Sequence, residues 1–117
     1  MPLNIPAITN LLVQVTSPRT SLACLTTRDG HLLAYYSLSQ SEEQAKTIGA
    51  LAAGLINSAR PPTTVSALCE LGSIYVSLLP PYFLIVLLGD SESGMMETLA
   101  LKARLLEDRL REPLSYI

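Results

Sequence analysis

The sequence predicts a single α+β domain over residues 1–117, in which helices cover a sheet of antiparallel strands. The first observation is composition, since 49% of the residues are hydrophobic and 15% are charged, which is enough apolar material for one core. The second is periodicity, because strand-like and helix-like patterns follow one another in the order α-β-β-α-β-β-β-α. The third is the connections, because short turns between neighbouring strand-like runs suit hairpins. From these patterns alone we expect two layers, with all the helices on one side of the sheet.

The chain is predicted to open with a helix and a hairpin. Residues 3–16 carry four large apolar side chains at steps of three and four, which is typical of a short amphipathic helix. These side chains are Ile8, Leu11, Leu12 and Val15. Residues 21–38 then predict two strands joined by Asp29-Gly30, a dipeptide that suits a type I′ turn because both of its positions need positive φ.

A second helix is predicted for the stretch SQSEEQAKTIGALAAGLINSARPP, and both of its ends are marked. Ser41 with Gln44, or Ser39 with Glu42, can form a capping box, in which each residue satisfies the backbone N–H group of the other. The prolines at 61–62 cannot continue a helix, so we expect the helix to end before them.

Three further strands and a last helix are predicted in the second half of the chain. The runs TTVSALCEL and SIYVSLL flank Gly72, which indicates a tight connection between them. After the prolines at 80–81, YFLIVLL is apolar on both faces and is therefore expected at the centre of the sheet. The helix predicted for residues 94–112 has one apolar stripe, formed by Met96, Leu99, Ala103, Leu106 and Leu110.

The middle helix has an outer face that is small and almost uncharged. On a helical wheel of residues 45–59, the core face holds Ala45, Ile48, Ala52, Leu55, Ile56 and Ala59. The opposite face holds Lys46, Ala50, Ala53, Gly54 and Asn57, with Thr47 and Ser58 at its edge. Small residues let a second helix approach closely, and Gly54 within a helix costs about 1 kcal/mol relative to alanine. We therefore predict a contact between subunits; the alternative is a weakly patterned surface helix that tolerates alanine.

The strand TTVSALCEL extends this predicted contact. It carries few charges, and in this order of elements we expect it at one edge of the sheet, where an uncharged strand invites pairing with another chain. The predicted dimerisation surface comprises Lys46, Ala50, Ala53, Gly54, Asn57, Val65, Ala67 and Cys69. Such a surface is isologous in a homodimer and pseudo-symmetric in a heterodimer.

Charge and motifs exclude several classes of function. A net charge of −2 and a pI near 5.2 provide no cationic surface for nucleic acid or anionic lipid. The sequence has no metal-ligand spacing and no GxSxG, Walker A or GxGxxG motif. Its one histidine, His31, follows the hairpin glycine and is expected in solvent. We therefore predict a chain that is not an enzyme, with no catalytic, cofactor-binding or metal-binding residues.

The cysteines and the apolar runs suggest the setting of the chain. Cys24 and Cys69 lie inside strand-like runs, so we expect reduced, buried thiols. The sequence shows no signal peptide, and no apolar run reaches the ~20 residues of a spanning helix. We therefore expect membrane contact only indirectly, through partners.

Two stretches carry a resemblance to a known family. RDGHLLAYYS at 28–37 and LKARLLEDRLREPLSYI at 101–117, together with the order of elements, resemble the roadblock (dynein light chain roadblock type) family. Within that family they are most similar to roadblock subunits of Ragulator, the late-endosomal and lysosomal adaptor and MAPK and mTOR activator complex. The resemblance implies a five-stranded antiparallel sheet with the middle helix on one side and the first and last helices on the other.

The resemblance also implies partners. Roadblock domains pair through the middle helix and the third strand, so a heterodimer with a second roadblock-domain protein is expected. A lipidated wrapping subunit would hold the pair at the cytoplasmic face of the lysosomal, late endosomal or vacuolar membrane. Rag-type GTPases would dock there for amino-acid signalling to TOR, while the chain itself binds no nucleotide.

Two alternatives within the family stay open at this stage. The first is a homodimeric dynein-type roadblock light chain that holds a disordered intermediate chain. The second is a roadblock regulator that stimulates GTP hydrolysis by a small GTPase. That activity needs an arginine presented to the nucleotide, for which Arg28, Arg60 and the arginines of the last helix are available.

Overall fold

A computed structural model describes residues 4–58, 64–79 and 83–114, with side chains in the last helix described as far as Arg111. The order of elements is the predicted one. The helices are α1 (Ile5–Val15), α2 (Glu42–Ser58) and α3 (Met95–Leu114). The strands are β1 (Thr20–Thr27), β2 (Leu32–Ser37), β3 (Thr64–Cys69), β4 (Gly72–Leu79) and β5 (Phe83–Gly89).

The five strands form one antiparallel sheet in the order β2-β1-β5-β4-β3. Every residue of β5 is buried, which confirms the central position predicted from its apolar run. The predicted edge strand is confirmed as well, because β3 pairs with β4 on one side and forms the end of the sheet on the other.

Helices cover both faces of the sheet, so the one-sided layering expected from the element pattern is wrong and the arrangement implied by the resemblance is confirmed. The physical reason lies in β1, whose side chains are apolar in both phases of the strand. Leu22 and Cys24 join a core under α2, whereas Ala23 and Leu25 join a second core under α1 and α3. Because successive side chains point to opposite faces, a strand of this kind requires cover on both sides.

The β1–β2 turn differs from the predicted type. Gly30 has a φ of +95°, but no other residue type among those described has a positive φ, so Asp29 does not adopt the conformation that a type I′ turn requires. The Gly30 N–H group donates to the Thr27 carbonyl at 2.9 Å, and the Thr27 N–H group donates to the His31 carbonyl at 2.9 Å. This is a three-residue loop closed by a glycine bulge. A separate irregularity shifts the strand register between Leu25 and Thr26.

The helix ends and stripes follow the prediction with one exception. The capping box of α2 forms between Ser41 and Gln44, whose backbone N–H groups donate to each other's side chains at 2.9 and 3.2 Å. The prolines at 61–62 lie outside the described residues. In α3, Met95 is fully buried while Met96 is half-buried, so the stripe begins one residue earlier than expected. The rest of that stripe is buried as predicted: Leu99, Ala103, Leu106 and Leu110.

Candidate functional site

The described residues offer little that resembles catalytic machinery. No group of three or more His, Cys, Asp or Glu side chains within residues 4–58, 64–79 and 83–111 could hold a metal ion. His31 is exposed, as expected. Cys24 is enclosed in the core, and this burial raises the pKa of its thiol to about 12, which keeps it protonated and unreactive at neutral pH. None of the helices in the described part of the chain is long and apolar enough to cross a bilayer.

The edge strand β3 is only partly covered. Its alternate side chains Val65, Ala67 and Cys69 point to the α2 face and are half-buried against that core. The intervening side chains, including Leu68, point to the opposite face and are exposed. Because β3 has a neighbouring strand on one side only, its outer edge presents backbone groups for pairing with another strand.

One flank of α2 faces β3. Glu43, Gln44, Thr47 and Ile48 line one side of a surface cavity whose far side is Leu71, in the turn between β3 and β4. Leu51 lies one turn further along the same flank and is 46% exposed. Glu43 stands in the first turn of α2, and the other exposed side chains of this flank, Gln44, Thr47 and Leu51, carry no charge. This flank of α2 and the uncovered edge of β3 together form what we call the α2–β3 surface.

The other flank of α2 faces the β1–β2 turn, and part of the predicted outer face lies there. Lys46 lies beside β2, lining a cavity with Leu32 and Tyr35. Ala50 is exposed but close to the turn, because a Cβ atom added to Gly30 would lie 3.2 Å from the Ala50 Cα. Gly54 lies between the flanks and points outward, with no atom within 4 Å of a Cβ atom added there.

The prediction that Ala53 lies on the outer face is wrong. Ala53 is only 5% exposed, and a Cβ atom added to Gly30 would lie 3.1 Å from the Ala53 Cβ. Gly49 is buried on the same side, where an added Cβ would lie 3.1 Å from the Thr26 Cγ2. The buried arc of α2 is therefore wider than the helical wheel suggested, because the β1–β2 turn packs against this flank. Ala53 leaves almost no surface for a partner.

The remaining predicted surface residues are distributed as follows. Asn57 is exposed near the end of α2, on the flank that faces the hairpin. Val65, Ala67 and Cys69 are brought together on the α2 face of β3. Sequence reasoning assigned Leu51 to neither face, although a large apolar residue outside the core arc of the wheel was a usable signal.

Comparison with known proteins identifies the fold family to which the structure is similar. No protein-family model matches the sequence, and no curated protein matches it. The structure is similar to a roadblock/LC7 domain from Streptomyces avermitilis, with a TM-score of 0.78 and 19% identity over 92% of this chain and 97% of that one. The chain has the roadblock fold.

Two bacterial proteins with the roadblock fold are also similar in structure. The gliding protein MglB from Thermus thermophilus gives a TM-score of 0.79 at 16% identity, covering 97% of this chain and 92% of that one. MglC from Myxococcus xanthus gives 0.60 at 15% identity, covering 94% and 95%. Identities this low establish the fold, so the function has to be argued from the α2–β3 surface.

Proposed function

We propose that the chain is a non-catalytic scaffold subunit that pairs with a second protein of the roadblock fold through the α2–β3 surface. The observation that carries this proposal is the edge strand β3, which is half-covered on its α2 face and lies beside a helix flank whose one charged side chain, Glu43, stands in the first turn. Leu51 is 46% exposed on that flank. Because Leu51 lies on the flank of α2 that faces an unpaired strand edge, a single partner could bury both.

In this pairing, β3 would join the edge strand of the partner and extend the sheet across both subunits. The backbone groups on the free edge of β3 would then gain partners, and Val65, Ala67 and Cys69 would lose their remaining exposure. Leu51 would pack against the partner's middle helix. If two copies of this chain pair symmetrically, no like charges face each other in the middle of the interface. The acidic residues Glu42 and Glu43 stand at the start of α2.

The finer proposal is a Ragulator-like complex. Here the partner is a different roadblock protein, and a lipidated wrapping subunit attaches the heterodimer to the cytoplasmic face of the lysosomal, late endosomal or vacuolar membrane. Rag-type GTPases dock on the assembly for amino-acid signalling to TOR. The support for this finer proposal is the sequence resemblance at 28–37 and 101–117. A structure of MglB "with tetrameric arrangement" supports association between domains of this fold in general.

The test of the pairing is the molar mass of the purified chain, measured by size exclusion with light scattering over a dilution series. We expect a monomer, or a heterogeneous species, that becomes a 1:1 complex when a second roadblock subunit is added. A tight homodimer at every dilution would retain the α2–β3 pairing but replace the heterodimer by the dynein-type arrangement. A chain that stays monomeric with and without the second subunit would overturn the proposal.

The finer assignment has its own test. The heterodimer is mixed with the wrapping subunit and with Rag-type GTPases, and co-elution is measured. We expect a stable assembly and no change in the rate of GTP hydrolysis on adding the chain. Stimulated hydrolysis would replace the scaffold by a GTPase regulator, and failure to co-elute would remove the Ragulator assignment while leaving the dimer.

A further inference from the structure

The loop between α1 and β1 contains a serine followed by a proline, Ser17-Pro18, which is the only Ser-Pro or Thr-Pro dipeptide in the sequence. The residue before it, Thr16, ends α1 in an extended conformation, with φ of −78° and ψ of 151°. Ser17 is half-buried, whereas Pro18 and Arg19 are exposed. A serine followed by an exposed proline is the acceptor motif of proline-directed protein kinases.

A lysine of the last helix stands beside the Ser17 hydroxyl. The Lys102 ammonium donates to the Ser17 Oγ at 3.3 Å and to the Thr20 Oγ1 at 2.9 Å. Both acceptors are neutral, and no carboxylate of the described residues forms an ion pair with this ammonium. Partial burial, and after it repulsion from the Arg19 guanidinium, lowers the pKa of Lys102. An anion placed here would therefore stabilise the charged lysine.

The Ser17 hydroxyl acts as an acceptor in both of its side-chain contacts. Its Oγ accepts from the Thr20 N–H group at 3.2 Å as well as from Lys102. Within residues 4–58, 64–79 and 83–111, its own hydrogen is donated to no partner. A phosphoryl group in place of that hydrogen would require neither contact to be lost, because phosphate oxygens are also acceptors.

Arg19 supplies a second cation close to the same place. Its Nε group donates to the Asp90 carboxylate at 2.7 Å, and its Nη2 group lies 3.6 Å from the Glu92 carboxylate. Its Nη1 group has no partner in the described part of the chain. Because a guanidinium carries five N–H donors, Arg19 can hold Asp90 and still offer a donor to a phosphate on Ser17.

We propose that Ser17 is a phosphorylation site for a proline-directed protein kinase, and that Lys102 and Arg19 hold the phosphate. The phosphate would connect the loop after α1 to α3, because Ser17 lies in that loop and Lys102 in that helix. It would thereby fix α3 more firmly on the sheet. The site goes beyond the proposed function and does not depend on it, because none of these residues belongs to α2 or β3.

In the transfer, the Ser17 oxygen attacks the γ-phosphorus of ATP and forms a new P–O bond. The bond between that phosphorus and the oxygen bridging to the β-phosphate breaks, and ADP leaves. The hydroxyl proton of Ser17 passes to the catalytic aspartate of the kinase. Ser17 and Thr20 exchange two backbone hydrogen bonds of 3.0 Å, which have to open for the loop to enter a kinase cleft. These bonds close a four-residue loop rather than a sheet ladder, so local opening costs little.

The end of α1 opposes the phosphate, but less strongly than the cations favour it. The carboxyl end of a helix carries roughly half a negative charge, which disfavours an anion on the loop that follows. Thr16 already compensates one carbonyl there, because its N–H and hydroxyl groups donate to the Val13 carbonyl at 3.2 and 2.8 Å. Lys102 carries a full charge at hydrogen-bonding distance. The sum of these charges favours the phosphorylated state.

The site is tested on the full chain with a proline-directed serine/threonine kinase and ATP labelled in its γ-phosphate. We expect one phosphate per chain, located at Ser17 by mass spectrometry of the peptides. Ser17→Ala and Pro18→Ala should each abolish the labelling. Ser21→Ala is the matched control, because Ser21 is also half-buried but no proline follows it, and it should label normally. No labelling, or labelling at another residue, would overturn the proposal.

The two cations are tested by thermal unfolding of a chain that carries phosphoserine at position 17 from its synthesis. At pH 7.5 we expect its melting temperature to exceed that of the unmodified chain by about 3 °C or more. The second phosphate ionisation has a pKa of about 6 in an exposed phosphoserine. Neighbouring cations lower this pKa in the folded chain, so the stabilisation is present above pH 6 and is lost as the pH falls through the lowered value.

Substitutions assign the rise in melting temperature to named residues, each measured against the unmodified chain with the same substitution. Lys102→Met should remove most of the rise, and Arg19→Gln should remove part of it. Lys46→Met is the control, because Lys46 is the other lysine of the sequence and lies on α2, and it should leave the rise unchanged. A phosphorylated chain no more stable than the unmodified one would overturn the proposal. So would a rise that survives Lys102→Met in full, or one that Lys46→Met removes equally. Failure of the chain to form a dimer would leave all of these expectations in place.

Discussion

The two flanks of α2 are built from similar small residues but meet different surroundings. On the flank that faces the β1–β2 turn, Gly49 and Ala53 are buried, and the chain itself comes within van der Waals contact of them. On the flank that faces β3, Leu51 is half-exposed and an open cavity separates the helix from Leu71. Between them, Gly54 points into open space.

The two flanks of α2 therefore use small residues in different ways, although the two sets of residues look alike in the sequence. Beside the turn, the absence of side-chain bulk lets α2 lie close to a glycine bulge within the same domain. Beside β3, the relevant property is the low charge beyond Glu43 in the first turn, because a partner can bury uncharged side chains without desolvating a charge. Substitutions on the first flank should act on folding, and those on the second should act on association.

The largest expected effect is on association. Leu51→Asp places a charge in the proposed interface, where it would be desolvated without a partner, and should raise the dimer dissociation constant by at least about 100-fold, or about 3 kcal/mol. The measurement is light scattering over a dilution series of the assembled dimer. Ala50→Asp makes the same charge change one residue away on the flank that faces the turn. We expect it to change the dissociation constant by less than about tenfold.

Equal loss of the dimer in both variants would show that the whole outer face of α2 takes part, as the helical wheel first suggested. A dimer that survives Leu51→Asp would contradict the assignment of the interface to the β3 flank.

The contrast also shows what the sequence could predict. The order of elements, the central strand, the edge strand and the Ser41–Gln44 cap all follow from local periodicity and composition, and the structure confirms them. The exposure of Ala53 could not be read in this way, because the width of the buried arc depends on where the β1–β2 turn packs. That position is a matter of tertiary packing, which local sequence patterns do not show.

Two other differences have the same origin. Asp29-Gly30 is compatible with more than one hairpin loop, and strand register rather than the dipeptide decides between them. The presence of helices on both faces of the sheet could have been predicted from Leu22 to Leu25. A strand that is apolar on both of its faces needs helices on both sides. Within the α2–β3 surface, the signal for Leu51 was a large apolar side chain outside the core arc of the helical wheel, and a search for small residues does not detect it.

The next largest effect should be on folding. Ala53→Leu adds three carbon atoms against the turn, where an added Gly30 Cβ already lies 3.1 Å from the Ala53 Cβ, and should lower the free energy of unfolding by about 1–3 kcal/mol. Urea denaturation of the Leu51→Asp variant provides a background in which association does not contribute. Thr47→Leu is an exposed control on the β3 flank, and we expect it to change the free energy of unfolding by less than about 0.5 kcal/mol.

If Thr47→Leu destabilised the domain as much as Ala53→Leu, close packing would not distinguish the flanks.

Two glycines of the same helix sharpen the comparison further. Gly54→Ala should raise the free energy of unfolding by about 1 kcal/mol, because alanine is the better helix former and the added methyl group meets nothing within 4 Å. Gly49→Ala gains the same propensity but places its Cβ 3.1 Å from the Thr26 Cγ2. It should therefore be less stable than Gly54→Ala in the same urea experiment. If both variants were stabilised equally, the β1–β2 turn would have to move away from the added Gly49 Cβ at almost no cost in free energy.

The smallest expected effect is on the chemical reactivity of the two cysteine thiols, one buried in the core and one at the sheet edge near the proposed partner. Both lie on the α2 face of the sheet, Cys24 in its interior and Cys69 at its edge. Because burial raises the pKa of Cys24 to about 12, its thiolate fraction at pH 8 is only about 10⁻⁴. We therefore expect a soluble disulfide reagent to modify Cys69 alone in the folded chain, and Cys24 only after unfolding.

Association should then slow the modification of Cys69 by a few-fold, because the paired β3 strand would lose its remaining exposure. The measurement is the labelling rate of the dimer against that of the Leu51→Asp variant at equal subunit concentration. Cys24 should stay unmodified in both samples, and its modification would reveal unfolding during the measurement. A Cys69 rate that is the same in both samples would place the partner away from the α2 face of β3, even if the mass measurements show a dimer. Slower labelling of Cys69 in the dimer than in the Leu51→Asp variant would place β3 within the subunit contact.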